Sequence, residues 1–401
     1  MTSVNSPKGR QGDLALFTRN AVDLINEEEL LALLAEDRPL RVKFGLDPSS
    51  ADLHVGHMVQ LMTLRRLQEA GHQIVLILGD ATAMVGDPSG KNKLRPQLSR
   101  EEVDHNLATY MDQAGLILDI DKTEIRRNSE WFDKMSFLET LKLNSRMTVA
   151  QMLERDTFSK RMDAKEPIGI HEFMYPLMQG WDSVKVQADV ELGGTDQLFN
   201  VLVGRTLQAQ EAQKPQVVFT GPLINGLDGR KMSKSYGNAV GLTDESKDMF
   251  GKLMSLEDGA METWFQLLTN LSAEERATVL AGHPREAKAR LAEEITCFLH
   301  SPEAAKEARA AFDSQFRDKN VPDDIPLLEW PAAGEELPLF LLVAKLGLAG
   351  SSNEARRLVA QGAVRLDGEP EKDGKRRFGQ GEAELLIQVG KRRFGRVKVS
   401  E

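Results

Sequence analysis

The stretch Asp47-Pro48-Ser49-Ser50-Ala51-Asp52-Leu53-His54-Val55-Gly56-His57 decides how the rest of the chain is read. Upstream of it, Leu40, Val42, Phe44 and Leu46 alternate with the period of a strand, which Asp47-Pro48 stops. Downstream, Met58, Leu61, Leu64 and Leu67 recur at helical spacing between His57 and Ala70, and Gly71 ends the helix. Gln73 to Leu78 then forms a second, almost wholly apolar strand. In such a strand, helix, strand unit the first connection lies at the carboxyl edge of a parallel sheet. Ligands bind there, and the helix N-terminus offers its N–H groups to anions. His54 and His57 fall at that helix start, so two imidazoles and the helix dipole face one anion. Gly56 between them lacks a Cβ and lets a flat ring such as a purine lie against the backbone.

A second word, Lys231-Met232-Ser233-Lys234-Ser235, sits inside the basic, glycine-bounded loop Gly229 to Gly237. A solvated cationic loop would need no such word. In this order, the two stretches resemble the two signature sequences of class I aminoacyl-tRNA synthetases.

With 401 residues, two or three domains are expected, with ample core. Cys297 is the only cysteine, which excludes an intrachain disulfide or a cysteine metal cluster and fits a reducing cytoplasm. The start is polar and no apolar run approaches membrane-spanning length, so a soluble, cytoplasmic protein without a membrane partner is expected. The net charge of −10 is unevenly spread. Residues 337–401 hold 13 Lys and Arg against 8 Asp and Glu, a net +5, which leaves −15 on the remainder. A basic tail on an acidic body points to a polyanion partner for the tail.

Along the chain, Asn5 to Arg38 reads as N-terminal helix. The small-residue run Gly79 to Lys91 lets backbone approach a ligand closely, but it is no Walker phosphate loop, because Gly90-Lys91 is not followed by Ser or Thr. Asp87 within it either meets a ligand ammonium or caps the Asp-Pro turn. Ser99 to Met162 is mainly helical, with Ile125 to Asn128 a short strand. Tyr175, Gln179 and Asp182, spaced four and three apart, share one face of a helix whose apolar stripe is Phe173, Leu177 and Trp181. The strand from Asp189 ends at Gly193-Gly194 and places Asp196 to bond a ribose hydroxyl, or else the acid is simply exposed on a glycine turn. Val217 to Phe219 is a further strand. Thr243 to Phe316 is almost entirely helical, and Asn320 to Leu337, with its prolines and acids, reads as a linker. An apolar helix Leu339 to Leu346, a second helix opened by Gly350-Ser351-Ser352-Asn353 and short strands at 364–366, 385–389 and 396–399 complete the chain. This tail resembles the small RNA-binding module of several ribosomal proteins and RNA-modifying enzymes. Its Lys345, Arg356, Arg357, Arg365, Lys375, Arg376 and Arg377 are candidate phosphate contacts.

The order of these parts resembles bacterial tyrosyl-tRNA synthetases along essentially the whole chain, and the terminal RNA module separates them from the related tryptophanyl enzymes. The resemblance implies an α/β fold: a Rossmann-type parallel-sheet catalytic domain over 1–242 with a helical dimerisation insertion at about 100–185. A helical anticodon-binding domain over 243–320, a linker over 321–336 and a small α+β RNA-binding domain over 337–401 would follow. It implies that tyrosine and ATP, with Mg²⁺ and no prosthetic group or protein-caged metal, give tyrosyl-adenylate, and that tyrosine then passes to tRNA(Tyr) on a homodimer. By family position Ser49, His54 and His57 bear on the phosphates, and Lys91, Arg95, Lys231 and Lys234 hold the leaving pyrophosphate. Asp47, Gly56, Gly194, Asp196 and Lys234 bind ATP or the adenylate. Thr82, Asp87, Tyr175, Gln179 and Gln197 surround the amino acid's ammonium and carboxylate, and Asp182 receives the phenolic O–H. Two positions depart from many relatives: Lys43 replaces a phenol-contacting tyrosine, and Trp181 stands where a tyrosine is frequent. A tryptophanyl enzyme, whose indole N–H could also meet Asp182, is the alternative. A non-catalytic RNA-binding relative would have no chemical need of His54, His57, Lys231 and Lys234.

Overall fold

The computed structural model describes residues 10–48, 52–88, 98–233, 236–319, 326–331, 337–373, 376–378, 384–390 and 393–400. They form two compact units, 1–309 and 310–401.

The first unit is built on a six-stranded sheet: β1 Asp23–Ile25, β2 Arg41–Leu46, β3 Gln73–Leu78, β4 Glu124–Arg127, β5 Val190–Gly194 and β6 Val217–Gly221. Their order is β1-β6-β5-β2-β3-β4, parallel throughout except for β1, which runs antiparallel to β6. β2 is central, with β3 on one side and β5 on the other, so the chain reverses its winding between β2 and β5. A crevice opens at such a switch point beyond the carboxyl ends. Both faces of β2 are covered, as parallel sheets require. Val42 and Phe44 are buried on one face, and Lys43 between them is buried on the other.

Helix starts follow their caps. The Val55–Glu69 helix is capped by His54, the Arg100–Gly115 helix by a Ser99/Glu102 box and the Phe137–Asn144 helix by a Ser136/Glu139 box. One expectation is corrected here. The region read as N-terminal helix contains helical turns at Leu14–Thr18 and Glu27–Ala35 with β1 between them, because Leu24 and Ile25 find an open edge on β6, a partner that local spacing cannot reveal. The small-residue run after β3 opens with a short helix, Asp80–Val85, with Asp80 buried and bonded to Ser129 N (2.9 Å) and Ser129 Oγ (2.6 Å) beyond β4.

The helices Ser246–Met254, Met261–Leu268, Ala273–Leu280 and Pro284–Leu299 belong to the same compact unit, so the boundary expected at 242/243 falls inside it. The guanidinium of Arg65, on the helix after β2, lies 5.5 Å from the Phe298 ring. β4 and the Met174–Val186 helix likewise lie within the span read as an insertion. No described helix is long and apolar enough to cross a membrane.

The second unit carries β7 Leu327–Pro331, β8 Leu337–Pro338, β9 Val364–Leu366, β10 Glu369–Glu371, β11 Arg377–Phe378, β12 Glu384–Val389 and β13 Arg393–Ser400. One sheet runs β10-β9-β12-β13-β7, and β8 pairs with β11. Helices Leu339–Lys345 and Ser352–Ala360 supply Leu342, Val343, Ala355 and Val359 to a core shared with Val364, Ile387 and Val397. The span read as a linker thus includes a strand, since β7 pairs in parallel with β13 from Leu327 to Pro331. Prolines flank this short segment and masked its apolar Leu327, Leu328 and Trp330 in the sequence pattern.

Candidate active site

The segments beyond β2, β3, β4 and β5 deliver polar residues to two hydrogen-bonded clusters. Asp47 follows β2; its Oδ1 accepts from Thr82 Oγ1 (2.8 Å) and its Oδ2 from the Tyr175 hydroxyl (2.7 Å). Burial, with Asp47 and Asp87 beside it, raises the Tyr175 phenol well above its ordinary value, so it stays a donor. Asn128, following β4, donates to Thr82 Oγ1 (3.1 Å) and to Asp182 Oδ2 (3.3 Å), and the Trp131 indole donates to Asp182 Oδ1 (3.0 Å). Asp182 is 3% exposed, and burial pushes its carboxyl up to about 7 against the opposing pull of Lys43, Asn128 and Trp131. It is an acceptor poised between its two protonation states.

In the second cluster, Asp87 accepts from Arg155 Nη2 (3.2 Å) and Gln197 Nε2 (2.9 Å). Asn200 bridges Gln197 Oε1 (2.8 Å) to Gln179 Oε1 (3.0 Å). Gln179 in turn donates to Glu191 (3.3 Å), which lies deep on β5 in an ion pair with Lys43 (2.8 Å). Thr82, Tyr175 and Asp182 thus belong to one hydrogen-bonded cluster, and Asp87, Gln179 and Gln197 to a second. Gly194 ends β5, and Asp196 is exposed in the short turn after it.

The first signature stretch bonds to the chain just beyond the second. Val55 N bonds Val240 O (2.9 Å), and Leu242 N bonds Leu53 O (3.1 Å). His54 Nδ1 accepts from Gly56 N (3.2 Å), His57 Nδ1 accepts from His54 N (3.2 Å), and the two ring centroids are 4.1 Å apart. With Nδ1 used as an acceptor, a neutral ring carries its proton on Nε2, which is then the donor. Burial and the neighbouring His54 lower His57 to about 3, so it works uncharged. Gly56 also has a packing role between these motifs. A Cβ there would stand 2.9 Å from the His54 ring and 3.4 Å from Met232 Sδ, so the glycine lets the capping imidazole and the second signature pack together. In that second stretch Lys231 is exposed while Met232 is buried. Asn238 holds the turn, accepting from Ser233 N (2.8 Å) and donating to Asp228 Oδ1 (2.7 Å) and Lys231 O (3.2 Å). Ser49, Lys91, Arg95, Lys234 and Lys375 lie outside the described residues.

Arg155, Asn128, Trp131, Asn200, Ser183, Glu191 and Asn238 are parts that the sequence reading did not assign to the site. Asn128 and Asn200 carried a faint signal, directly after a strand and three residues beyond Gln197. Arg155 carried none, since its pairing with Asp87 spans 68 positions. In the second unit Lys345, Arg356, Arg357, Arg365, Arg376 and Arg377 are all exposed; Arg356 lies 4.1 Å from the Phe340 ring, and Arg376 pairs with Glu371.

A family model described as tRNA synthetases class I (W and Y) matches residues 35–317, and an S4 domain model matches 337–383. A tyrosine–tRNA ligase of Aromatoleum aromaticum is 50% identical over 96% of this chain and 98% of its own, and one of Thermotoga maritima is 48% identical over 96% and 97%. The chain belongs to the tyrosine–tRNA ligase family of class I tRNA synthetases. Solved structures of that family share its fold. A C-terminally truncated mitochondrial tyrosyl-tRNA synthetase of Aspergillus nidulans superposes with a TM-score of 0.64 at 24% identity, covering 78% of this chain and 95% of that one. The Archaeoglobus fulgidus tyrosyl-tRNA synthetase complexed with L-tyrosine gives 0.60 at 24%, covering 74% and 99%.

Proposed function

We propose that this chain joins L-tyrosine to ATP, giving tyrosyl-adenylate and pyrophosphate, and passes the tyrosine to the 3′ end of tRNA(Tyr). The observation that carries the reading is Asp182, 3% exposed and held by Asn128 and Trp131, in the same hydrogen-bonded cluster as Thr82, Asp47 and Tyr175 at the carboxyl end of β2. An amino acid with its ammonium on Asp87, Tyr175 and Gln179 and its phenol on Asp182 leaves its carboxylate toward the nucleotide. A carboxylate that needs a donor rejects phenylalanine because it would be left unpaired, and this family is itself the standard example of that rejection.

The carboxylate attacks the α-phosphate in line, so the chain needs no nucleophile of its own, only positioning and charge neutralisation. His54 and His57 donate through Nε2 to the phosphates from the helix start. Lys231, with Lys91, Arg95 and Lys234, takes up the charge that develops on pyrophosphate. Asp47, Gly194 and Asp196 meet the adenylate, with Gln197 near the reacting carboxylate. Mg²⁺ bound with ATP would neutralise phosphate charge. No group of three or more acid, His or Cys side chains that could hold a metal ion gathers among the described residues.

The exposed apolar residues Phe137, Leu138, Leu141, Val149, Met162 and Ile170 fall between β4 and the Met174–Val186 helix and support a homodimer formed through this region. The exposed basic residues of the second unit support tRNA contact there, and the helices from Ser246 onward are the candidate anticodon reader. ATP–pyrophosphate exchange with all twenty amino acids tests the reading. Exchange restricted to tyrosine is expected, and exchange with tryptophan instead would overturn it.

A further inference from the structure

Lys43 sits in the middle of β2 with no exposed surface. A buried ammonium is tolerated only where its charge is met and its three N–H bonds are used. Here they go to Glu191 Oε1 (2.8 Å) on β5, to Ser183 Oγ (2.7 Å) and to the main-chain oxygen of Gln179 (2.7 Å). Glu191 is equally engaged, accepting from Gln179 Nε2 (3.3 Å), Ser183 Oγ (2.9 Å) and Gln216 Nε2. A buried ion pair adds little stability over an apolar pair of the same size, so this one calls for another use. Two of the Lys43 bonds land on residues 179 and 183, which bracket Asp182 on the Met174–Val186 helix.

We infer that the Lys43–Glu191 pair is a positioning and specificity element for tyrosine, fixing the recognition helix over the sheet and setting the charge that Asp182 presents to the phenol. This rests on the reading of Asp182 as the phenol's acceptor. Asp182 is faced by Lys43 from β2, by Glu191 from β5 and by the neutral donors Asn128 and Trp131 from the end of β4. Lys43 favours its carboxylate, Glu191 disfavours it, and burial works with Glu191. The lysine therefore keeps a buried acid able to accept a proton near neutral pH.

The test is kcat/KM for tyrosine and phenylalanine in pyrophosphate exchange, across pH, with the full chain. Asp182→Asn comes first: if the preference for tyrosine survives it, the acceptor reading itself fails. If the preference is lost, three variants examine the pair. Lys43→Met should move the acid limb of kcat/KM for tyrosine up by about one pH unit, a roughly tenfold loss on that limb that recovers as pH rises. Glu191→Gln should move the limb down. Lys43→Met with Glu191→Gln should return it close to the parent position. If Lys43→Met does not fold, the limb in Glu191→Gln and in the double variant decides. Losses uniform in pH, with the limb fixed, would reduce the pair to a structural role and overturn the inference.

Discussion

The indole N–H of Trp131 donates to Oδ1 of Asp182 at 3.0 Å, which makes a residue beyond β4 part of the proposed tyrosine pocket. The bond stabilises the charged form of a buried carboxylate, and hydrogen bonds to charged groups contribute about 1.5–3 kcal/mol. Trp131→Phe should therefore raise KM for tyrosine about tenfold or more at neutral pH while changing KM for ATP little. Steady-state exchange kinetics check it, and an equal rise in both constants would mean that the indole supports the fold and not the pocket.

Asp182 and His57 should pull stability in opposite directions with pH. Asp182 rises from 3.8 to about 7 on folding, so between those values the folded chain holds a proton that the unfolded chain has lost. Its contribution is greatest near pH 4 and declines as pH rises to 7. His57 falls from 6.5 to about 3, so over that window the unfolded chain holds the extra proton and the contribution grows with pH. The difference in urea midpoint, parent minus Asp182→Asn, should fall from pH 4 to 7, while parent minus His57→Asn should rise from pH 4 to 6.5. Flat difference curves would show that neither group shifts on folding.

The contrast between these residues and their partners shows what the sequence could reveal. The strand, helix, strand unit around His54 was legible because its periodicities are local, and so was the shared face of Tyr175, Gln179 and Asp182. Lys43 appeared only as a departure from relatives; that it meets Glu191 depends on β2 lying beside β5, a neighbour relation between residues 148 positions apart. β1 and β7 were hidden for a similar reason, since each is a short segment that becomes a strand only because a sheet edge receives it. Helical caps act over three residues, so they are written locally in the sequence, as Ser99-Arg100-Glu101-Glu102 and Ser272-Ala273-Glu274-Glu275.

Gly79 should be hard to replace. A Cβ there would lie 2.0 Å from Asp47 Oδ1 and 2.4 Å from Thr82 Oγ1, where the Asp47–Thr82 bond forms. Gly79→Ala must push that pair apart, at a cost of about 1–3 kcal/mol for forced overpacking. A lowered melting temperature and weaker tyrosine and ATP binding are expected, and calorimetry would show whether both change together. Unchanged binding would place the Asp47–Thr82 bond outside the site.

The parallel pairing of β7 with β13 changes where the RNA-binding tail should be cut. A break before Leu337 strands β7, whereas a stop after Lys319 removes the whole sheet. The shorter chain should retain adenylate formation and lose tRNA charging, and in the full chain the tail's contribution should weaken as salt rises through counterion release. Filter binding of tRNA at two salt concentrations, beside pyrophosphate exchange, reads both effects. Loss of exchange in the truncated chain would assign the tail to the catalytic fold.

Asn238 should govern the second signature loop without touching substrate. Its amide oxygen takes Ser233 N at 2.8 Å, and its amide nitrogen reaches Asp228 Oδ1 at 2.7 Å and Lys231 O at 3.2 Å, so one side chain sets the turn that presents Lys231. Asn238→Asp exchanges the donor for an acceptor facing the Asp228 carboxylate, which repels it and frees the loop. A lysine that meets charge developing on pyrophosphate acts in the transition state, so misplacing it should slow adenylate formation with little effect on ground-state tyrosine binding. Removing one such donor costs about 3 kcal/mol, or roughly a hundredfold; a displaced donor should cost less, about tenfold. Asn238→Asp is therefore expected to reduce the single-turnover rate of adenylate formation about tenfold at an unchanged tyrosine Kd. A variant with a normal rate and poor tyrosine affinity would assign the loop to the amino-acid pocket and not to the phosphates.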